Sequence, residues 1–360
     1  MTGVKALPRV RWQDAMARAS AEAPLSEEDI VTLLESDPDE AQELFRVADR
    51  IRRKYMGDWV HLRGLIEFSN VCRRHCEYCG LRAGNRAIDR YRMSLEEILE
   101  CVRMADRMGI RSVVLQSGED PWYTVERLEE LIRAVKATAQ VAVTLSIGER
   151  SREDYRRLRR AGADRYLLKH ETADEGLYRS LHPDSRFRDR LRCLLDLIAE
   201  DFQVGSGCMV GLPGQTTRML AQDVILFREL ELDMIGIGPF LPSPHTPLWN
   251  AAPGTVELTL KMVAVTRLVT KNAHMPATTA LTTLDPLGRE KAWQAGANVV
   301  MPLLTPIRYR EQYQIYPDRA CLRDDPEHCM GCLALRVASV GRWIFPGCGD
   351  SVKHPVHAHA

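Results

Sequence analysis

Residues 62–82 read LRGLIEFSNVCRRHCEYCGLR, and the two halves of this stretch decide the fold. Its first half, 62–70, is a short apolar run that turns polar at Ser69 and Asn70. Its second half sets Cys72, Cys76 and Cys79 at C-x3-C-x2-C spacing. Runs like the first recur as SVVLQSGE (112–119), VAVTLSIGE (141–149), RYLLKHET (165–172), VGSGCMVGLP (204–213), MIGIGPFLP (234–242), MPATTA (275–280) and NVVMPLLT (298–305). Near-continuous apolar runs separated by amphipathic helical stretches indicate parallel strands buried on both faces. Eight such units over about 250 residues predict an α/β fold of the (β/α)8, TIM-type barrel class.

The stretches between the runs agree. SLEEILECVRMADRMG (94–109) opens with a capping box of Ser94 and Glu97 and puts Leu95, Ile98, Leu99 and Val102 on one face. Gly109 ends it, and AGAD (161–164) and AGAN (295–298) repeat a helix-ending glycine just before the next run. Polar residues collect where the runs end: Ser69 and Asn70, Ser117 to Asp120, Ser146 and Glu149, His170 to Thr172, Thr278 and Thr279. In a barrel those are the C-terminal strand ends, where the site is built. Residues 1–60 are expected to form a helical extension, 61–306 the barrel, and 307–360 an irregular tail rich in Cys and Pro.

Of the 360 residues 45% are hydrophobic and 27% charged, ordinary values for a globular protein. Lys plus Arg equal Asp plus Glu at 49 each, so no global field favours nucleic acid or anionic lipid as a partner. The first residues lack an apolar h-region, and no run of about 18 apolar residues occurs. The expected location is the cytoplasm, with no membrane partner. Ten cysteines in a reducing compartment argue for metal ligation where they cluster, not for disulfides. They cluster twice: Cys72, Cys76, Cys79, and then Cys321, Cys329, Cys332. Cys101 and Cys193 fall in helical stretches and read as small hydrophobes. Cys348 reads as an extra thiol or as a fourth ligand at the second group.

Structural zinc closes its shell with four ligands. No fourth ligand adjoins the first group, and His75 lies too close to Cys76 for joint tetrahedral ligation. Three thiolates on a [4Fe–4S] cube leave one iron open. With a strand before it, Tyr78 before its third cysteine and SGED (117–120) at the next strand end, the stretch resembles the radical S-adenosylmethionine (SAM) superfamily. That resemblance implies a [4Fe–4S] cluster on Cys72, Cys76 and Cys79. The open iron takes the amine and carboxylate of SAM, and reduction cleaves SAM to methionine and a 5′-deoxyadenosyl radical.

The resemblance narrows over residues 62–332. AGADRYLLKHETA, MVGLPGQT, DMIGIGPFLPSPHTPL, PATTAL and GANVVMPLLTP are similar to the HydE family of [FeFe]-hydrogenase maturases, with biotin synthase and methylornithine synthase as cousins. CLRDDPEHCMGC (321–332) is similar to that family's accessory site and implies a second Fe–S cluster on Cys321, Cys329 and Cys332. Carried over, the resemblance places Tyr78, Met209 and Ile237 against adenine. Ser117 and Glu119 meet the methionyl amine, Thr144 and Ser146 lie near SAM, and Glu171 and Arg190 make polar SAM contacts. It places Lys169, Thr278 and Thr279 at an internal anion or substrate site, and Tyr313 and Tyr316 at the cavity mouth. On chemistry alone Arg190 reads as a solvated helix residue, Glu171 as a salt-bridge partner, the two tyrosines as packing, and His170 as a structural group.

One residue departs from the family pattern: Lys169 stands where an Arg is expected, keeping the charge and losing the bidentate fork. The implied substrate is a small iron–cysteine carbonyl/cyanide synthon. The implied partners are the other hydrogenase maturases and a reductant such as ferredoxin or flavodoxin. Two other readings compete. One is a radical SAM mutase or sulfur-inserting enzyme on an amino-acid-like substrate, which Lys169 favours. The other is a non-enzymatic metal-binding protein.

Overall fold

The first stave of the barrel is made of β1 (Trp59–Leu62) and β2 (Gly64–Ser69), interrupted at Arg63. The computed structural model describes residues 10–323 and 326–354, with the side chains of 326–329 outside the description. β3 (Ser112–Ser117), β4 (Ala142–Ser146), β5 (Arg165–Leu167), β6 (Gln203–Val210) and β7 (Met234–Pro239) follow β2 in spatial order, every pair parallel. The seventh apolar run forms no strand. Its place is held by isolated bridges from His274 to Met234 and from Pro276 to Val299. Pro276 removes a ladder donor, and a helix, Thr279–Leu284, starts almost at once. β8 (Val299–Val300) pairs with β1, and Leu303 bridges to Leu65, which closes the circuit.

A repeated device ties the staves at their N-terminal ends. Asp164, Asp233 and Asn298 each stand just before a strand and accept from a backbone N–H of the preceding stave: Val143 at 2.7 Å, Val204 at 2.8 Å and Met275 at 2.9 Å. Gly162 and Gly296, at φ +113° and +114°, let the chain turn from helix into two of these positions.

Helices cover the outside of the barrel. Ser94 caps Leu95–Arg107 in the expected box with Glu97; Ile98 and Val102 are buried, while Leu95 is left exposed. The N-terminal helices Trp12–Ser20, Glu27–Leu34 and Pro38–Met56 pack on one another and on the helices Thr217–Glu229 and Val256–Thr270. Cys101 and Cys193 are buried, as small hydrophobes should be. No helix among the described residues is long and apolar enough to cross a membrane.

The tail is more ordered than its composition suggested. It holds the helix Pro326–Ser339, with Pro at its start, and β9 (Trp343–Ile344), which pairs with β1. Residues 313–319 pack against the cysteine loop: Gly80 N–H donates to Ile315 O at 3.1 Å, and Arg319 pairs with the buried Glu67. Residues 348–351 close the opposite end. Arg165, buried at the start of β5, pairs with Asp350 at 2.6 Å and donates to the Cys348 carbonyl at 3.0 Å. Gln203 donates to Asp350 at 3.0 Å, and the Ser351 hydroxyl donates to Asp233. Cys348 therefore lies at the strand-start end of the barrel, away from Cys321, which adjoins residues 301–303 beyond the end of β8. This corrects its reading as a fourth ligand.

Candidate functional site

The cysteine loop leaves β2 where Ser69 Oγ donates to Asp120 at 2.8 Å and Asn70 donates to the Asp89 and Gln312 carbonyls at 2.7 and 2.8 Å. Its three thiols resist ionisation. Burial pushes Cys79 up to about 12, with the neighbouring Cys72 adding to it. Burial, then Cys79 and Cys72, push Cys76 well above its ordinary value. Cys72 is raised by burial, against backbone N–H groups of Arg74 and Glu119 that favour its thiolate. Burial is the first cause for each, with neighbouring thiols adding to it at Cys76 and Cys79, and thiols so placed ionise together only around a cation. Among the described residues no three His, Cys, Asp or Glu side chains converge on one point as a single-ion site demands. A multi-iron cube takes its thiolates at separate corners and needs no such convergence.

Beside the thiols runs an alternating chain of charge. Glu119 meets Arg74 at 2.7 Å and Arg73 at 3.3 Å; Arg74 meets Glu149 at 2.6 Å; Glu149 meets Arg190 at 2.7 Å. Burial opposes ionisation of Glu149, but Arg190 and Arg74 hold its pKa below the usual carboxylate range. A β-carbon at Gly118 would sit 2.3 Å from the Val71 carbonyl, and one at Gly148 would sit 2.0 Å from Glu119 Cγ. Glycine at 118 lets the loop after β3 close on the cysteine loop, and glycine at 148 lets the loop after β4 close on Glu119. Arg190 is buried, contrary to a solvated helix residue, and also donates to the Lys169 carbonyl. Ser117 Oγ donates to the Gly118 carbonyl at 2.7 Å.

Strand parity sorts the remaining candidates. In β6, Ser206 and Cys208 face the helices, where His170 bridges Ser206 and Asp223 at 2.9 Å each, a structural role. Gly205, Gly207 and Met209 therefore face inward. Cys208 is in register with Ile237, so Ile237 also faces the helices and joins the main core. It does not meet Tyr78 and Met209, which share a separate apolar cluster with Leu177, Leu181, Leu212 and Phe240. Long apolar runs hide this parity, because both faces of the strand are apolar.

Inside the barrel Lys169 Nζ lies 3.0 Å from Glu171 Oε2, and Glu171 takes φ +68° to place it there. A β-carbon on inward-facing Gly236 would stand 3.8 Å from Lys169 Cε, and one on Gly238 3.3 Å from Thr278 Oγ1. The hydroxyls of Thr278 and Thr144 and the Nε and Nη2 of Arg63 are buried without a hydrogen-bond partner among the described residues. Burial, and then Arg165, push the Arg63 pKa down. Ser146 ends β4 on the same face as Thr144. Tyr313 is buried and accepts from Gln116 at 3.1 Å, while Tyr316 lies close to Arg319 and Glu67.

Thr279 is parted from Thr278. It lines a cavity of about 110 Å³ between barrel and tail, together with Cys321, Cys332, Arg289, Arg310 and Arg336. Arg289 donates to Cys321 Sγ at 3.8 Å. Cys329 lies on the same helix as Cys332, and its side chain is outside the described residues. Arg63, Glu67, Arg74 and His182 carried no role in the sequence reading. Arg63 and Glu67 had a usable signal: charges four apart, on one face of an otherwise apolar strand.

Comparison with known proteins gives the arrangement its family. A family model described as the radical SAM superfamily matches residues 66–227, from β2 into the helix before β7. The [FeFe] hydrogenase maturase subunit HydE of Thermotoga maritima is 50% identical over 299 residues, 83% of this chain and 86% of that one. The 3-methylornithine synthase of Methanosarcina acetivorans is 30% identical over 283 residues, 78% of this chain and 80% of that one. The crystal structure of methylornithine synthase (PylB) matches with a TM-score of 0.82 at 26% identity, over 92% of this chain and 97% of that chain. Family membership implies an enzyme that uses a [4Fe–4S] cluster and SAM. On these matches the chain belongs to the radical SAM superfamily and, within it, to the HydE family.

Proposed function

We propose that the chain is a maturase of the [FeFe]-hydrogenase active site that acts on a small anionic iron–cysteine carbonyl/cyanide synthon. The observation that carries the maturase reading is the 50% identity to HydE, against 30% to the amino-acid mutase branch. The residues present fit the cofactors. Cys72, Cys76 and Cys79 would hold the cluster, since three thiols disfavoured by burial on one loop need a cation to ionise together. Glu119, Glu149 and Arg190 would bind the polar end of SAM, with Tyr78 and Met209 at its adenine. When bound, the cluster and SAM supply reductive cleavage of a sulfur–carbon bond and so a carbon-centred radical.

The chain's own residues orient and neutralise. Arg190 offers a planar fork to a carboxylate while Glu149 fixes its direction. Lys169, Arg63, Thr144 and Thr278 face the barrel interior and supply donors to an anion. Arg63 donates to Met234 Sδ through Nη1 alone; its Nε and Nη2 and the two hydroxyls are buried without partners among the described residues, and buried donors without partners are costly. Residues 313–319, lying against the cysteine loop, help exclude water. Cys321, Cys329 and Cys332, amid several arginines, would hold a second Fe–S cluster outside this set. The other maturases and a protein reductant would be its partners.

Anaerobic reconstitution tests the cofactor assignments. The wild type should form 5′-deoxyadenosine, and Ala at Cys72, Cys76 and Cys79 should abolish it. Ala at Cys321, Cys329 and Cys332 should lower bound iron and leave cleavage intact. Cleavage by the first triple variant would sink the site; unchanged iron in the second would sink the accessory cluster.

A further inference from the structure

The cysteine loop hangs on one short segment of another part of the chain. Arg74 Nη1 donates to the Asp184 carbonyl at 2.9 Å, and His75 N–H donates to the Asp184 carboxylate at 3.1 Å. Glu77 N–H donates to the Leu181 carbonyl at 2.9 Å. The Tyr78 hydroxyl lies 3.1 Å from His182 Nε2. Four of the five residues 74–78 are thus moored to Leu181, His182 and Asp184, the turn that ends the helix Glu175–Leu181.

His182 is itself fixed from three sides. Its ring stacks on Tyr178 at 4.1 Å and 26° and meets Tyr78 edge-on at 5.5 Å and 84°. Its Nδ1 is 3.0 Å from the Tyr178 carbonyl, which can only accept. Nδ1 therefore carries the proton, Nε2 keeps its lone pair, and the Tyr78 hydroxyl donates to it. Burial, helped by Arg190, lowers the His182 pKa to about 4, so the ring is neutral at working pH. The Tyr178 hydroxyl lies 3.1 Å from Ser185 Oγ, and Ser185 donates to Glu149 at 3.2 Å, joining this mooring to the charge chain through Arg190.

We propose that His182 is a positioning residue for SAM: by accepting a hydrogen bond from the Tyr78 hydroxyl it holds that ring, one residue before Cys79, in the orientation that receives adenine. The proposal rests on the reading of Cys72, Cys76 and Cys79 as the cluster loop. In this role His182 needs no contact of its own with cluster or SAM; it acts through Tyr78. Losing the acceptor leaves a phenol without its partner and frees the ring about its side-chain torsions.

The test uses the full chain, reconstituted anaerobically, with His182→Phe, His182→Gln, Tyr78→Phe and the double variant Tyr78→Phe/His182→Phe. Three quantities are measured: iron per chain, SAM dissociation constant by calorimetry without reductant, and KM and kcat for 5′-deoxyadenosine formation. His182→Phe keeps the stack and loses the acceptor. It should raise Kd and KM about three- to tenfold, the span of one hydrogen bond, with iron unchanged and kcat within about twofold. Tyr78→Phe should match it, and the double variant should be no worse than either single one. His182→Gln, which restores an acceptor, should recover most of the loss. An unchanged Kd in His182→Phe or Tyr78→Phe, or full additivity in the double variant, overturns the proposal. Should His182→Phe not fold, Tyr78→Phe and His182→Gln still decide by the same criteria. A wild type that holds iron and does not bind SAM would instead remove the reading beneath it.

Discussion

Lys169 shows at residue scale how the barrel handles an interior charge. An ammonium there needs a counter-charge, and Glu171 supplies one at 3.0 Å, with its own backbone in the left-handed region to reach it. A substrate anion would have to share Lys169 with Glu171, while Thr278 and Arg63 stand with unpartnered donors. Lys169→Arg should be tolerated. Lys169→Met should leave 5′-deoxyadenosine formation near wild type and cut diiron-site maturation about 10- to 100-fold, the worth of a hydrogen bond to a charged group. Hydrogenase activity and uncoupled 5′-deoxyadenosine release, measured side by side, check this; equal loss of both would move Lys169 onto SAM. The charge at 169 was legible in the sequence, at the end of an apolar run. Arg63 was legible only in part, since its role depends on which face of β1 and β2 points inward.

Elements were read well where one local signal decided them. The capping box at Ser94 stands where its residues placed it, and the helix-ending glycines take positive φ. Elements that depend on a distant partner were not readable. β9 is two residues long and exists because β1 offers an edge. The seventh stave is bridged and not laddered, because Pro276 lacks the donor. Ile237 went to the wrong face because MIGIGPFLP has no polar position to mark parity. The element scale also carries a pH effect. Burial would raise the Glu97 pKa, but the Ser94 backbone, Arg308 and Tyr309 donate to it and lower it to about 2. A depressed carboxylate stabilises fully above its unfolded value and loses that contribution as pH falls through the folded one. The cap of Leu95–Arg107, and with it the docking of Ile307–Arg310 on that helix, should therefore weaken from about pH 4.5 down to about 2. Glu97→Gln should remove about 1–2 kcal/mol at neutral pH and flatten this acid limb, as read by urea midpoints across pH.

At the scale of the whole molecule the barrel is stoppered at both ends by one tail. Residues 313–319 press on the cysteine loop, while 348–351 cover the strand starts through Arg165, Gln203 and Asp233. Barrel class and cysteine loop were visible in the sequence, because strand period and thiolate spacing are local. The return of the tail to the far end was not, since nothing near 350 names Arg165 as its partner. Asp350→Asn should remove a counter-charge from a buried guanidinium that keeps its hydrogen bonds to Gln203, Ser112 and the Cys348 carbonyl, and cost about 1–3 kcal/mol, less than a fully buried pair because Asp350 is partly exposed. A lower urea midpoint with unchanged slope would show it. The central claim is maturation, and it is tested most directly by adding this chain to a cell-free maturation mix that contains apo-hydrogenase, the other maturases, a reductant and SAM but no HydE. The expected result is hydrogen evolution that depends on this chain and on SAM and is lost with Ala at Cys72, Cys76 and Cys79. Brisk 5′-deoxyadenosine formation by the wild type with no hydrogenase activity would contradict it.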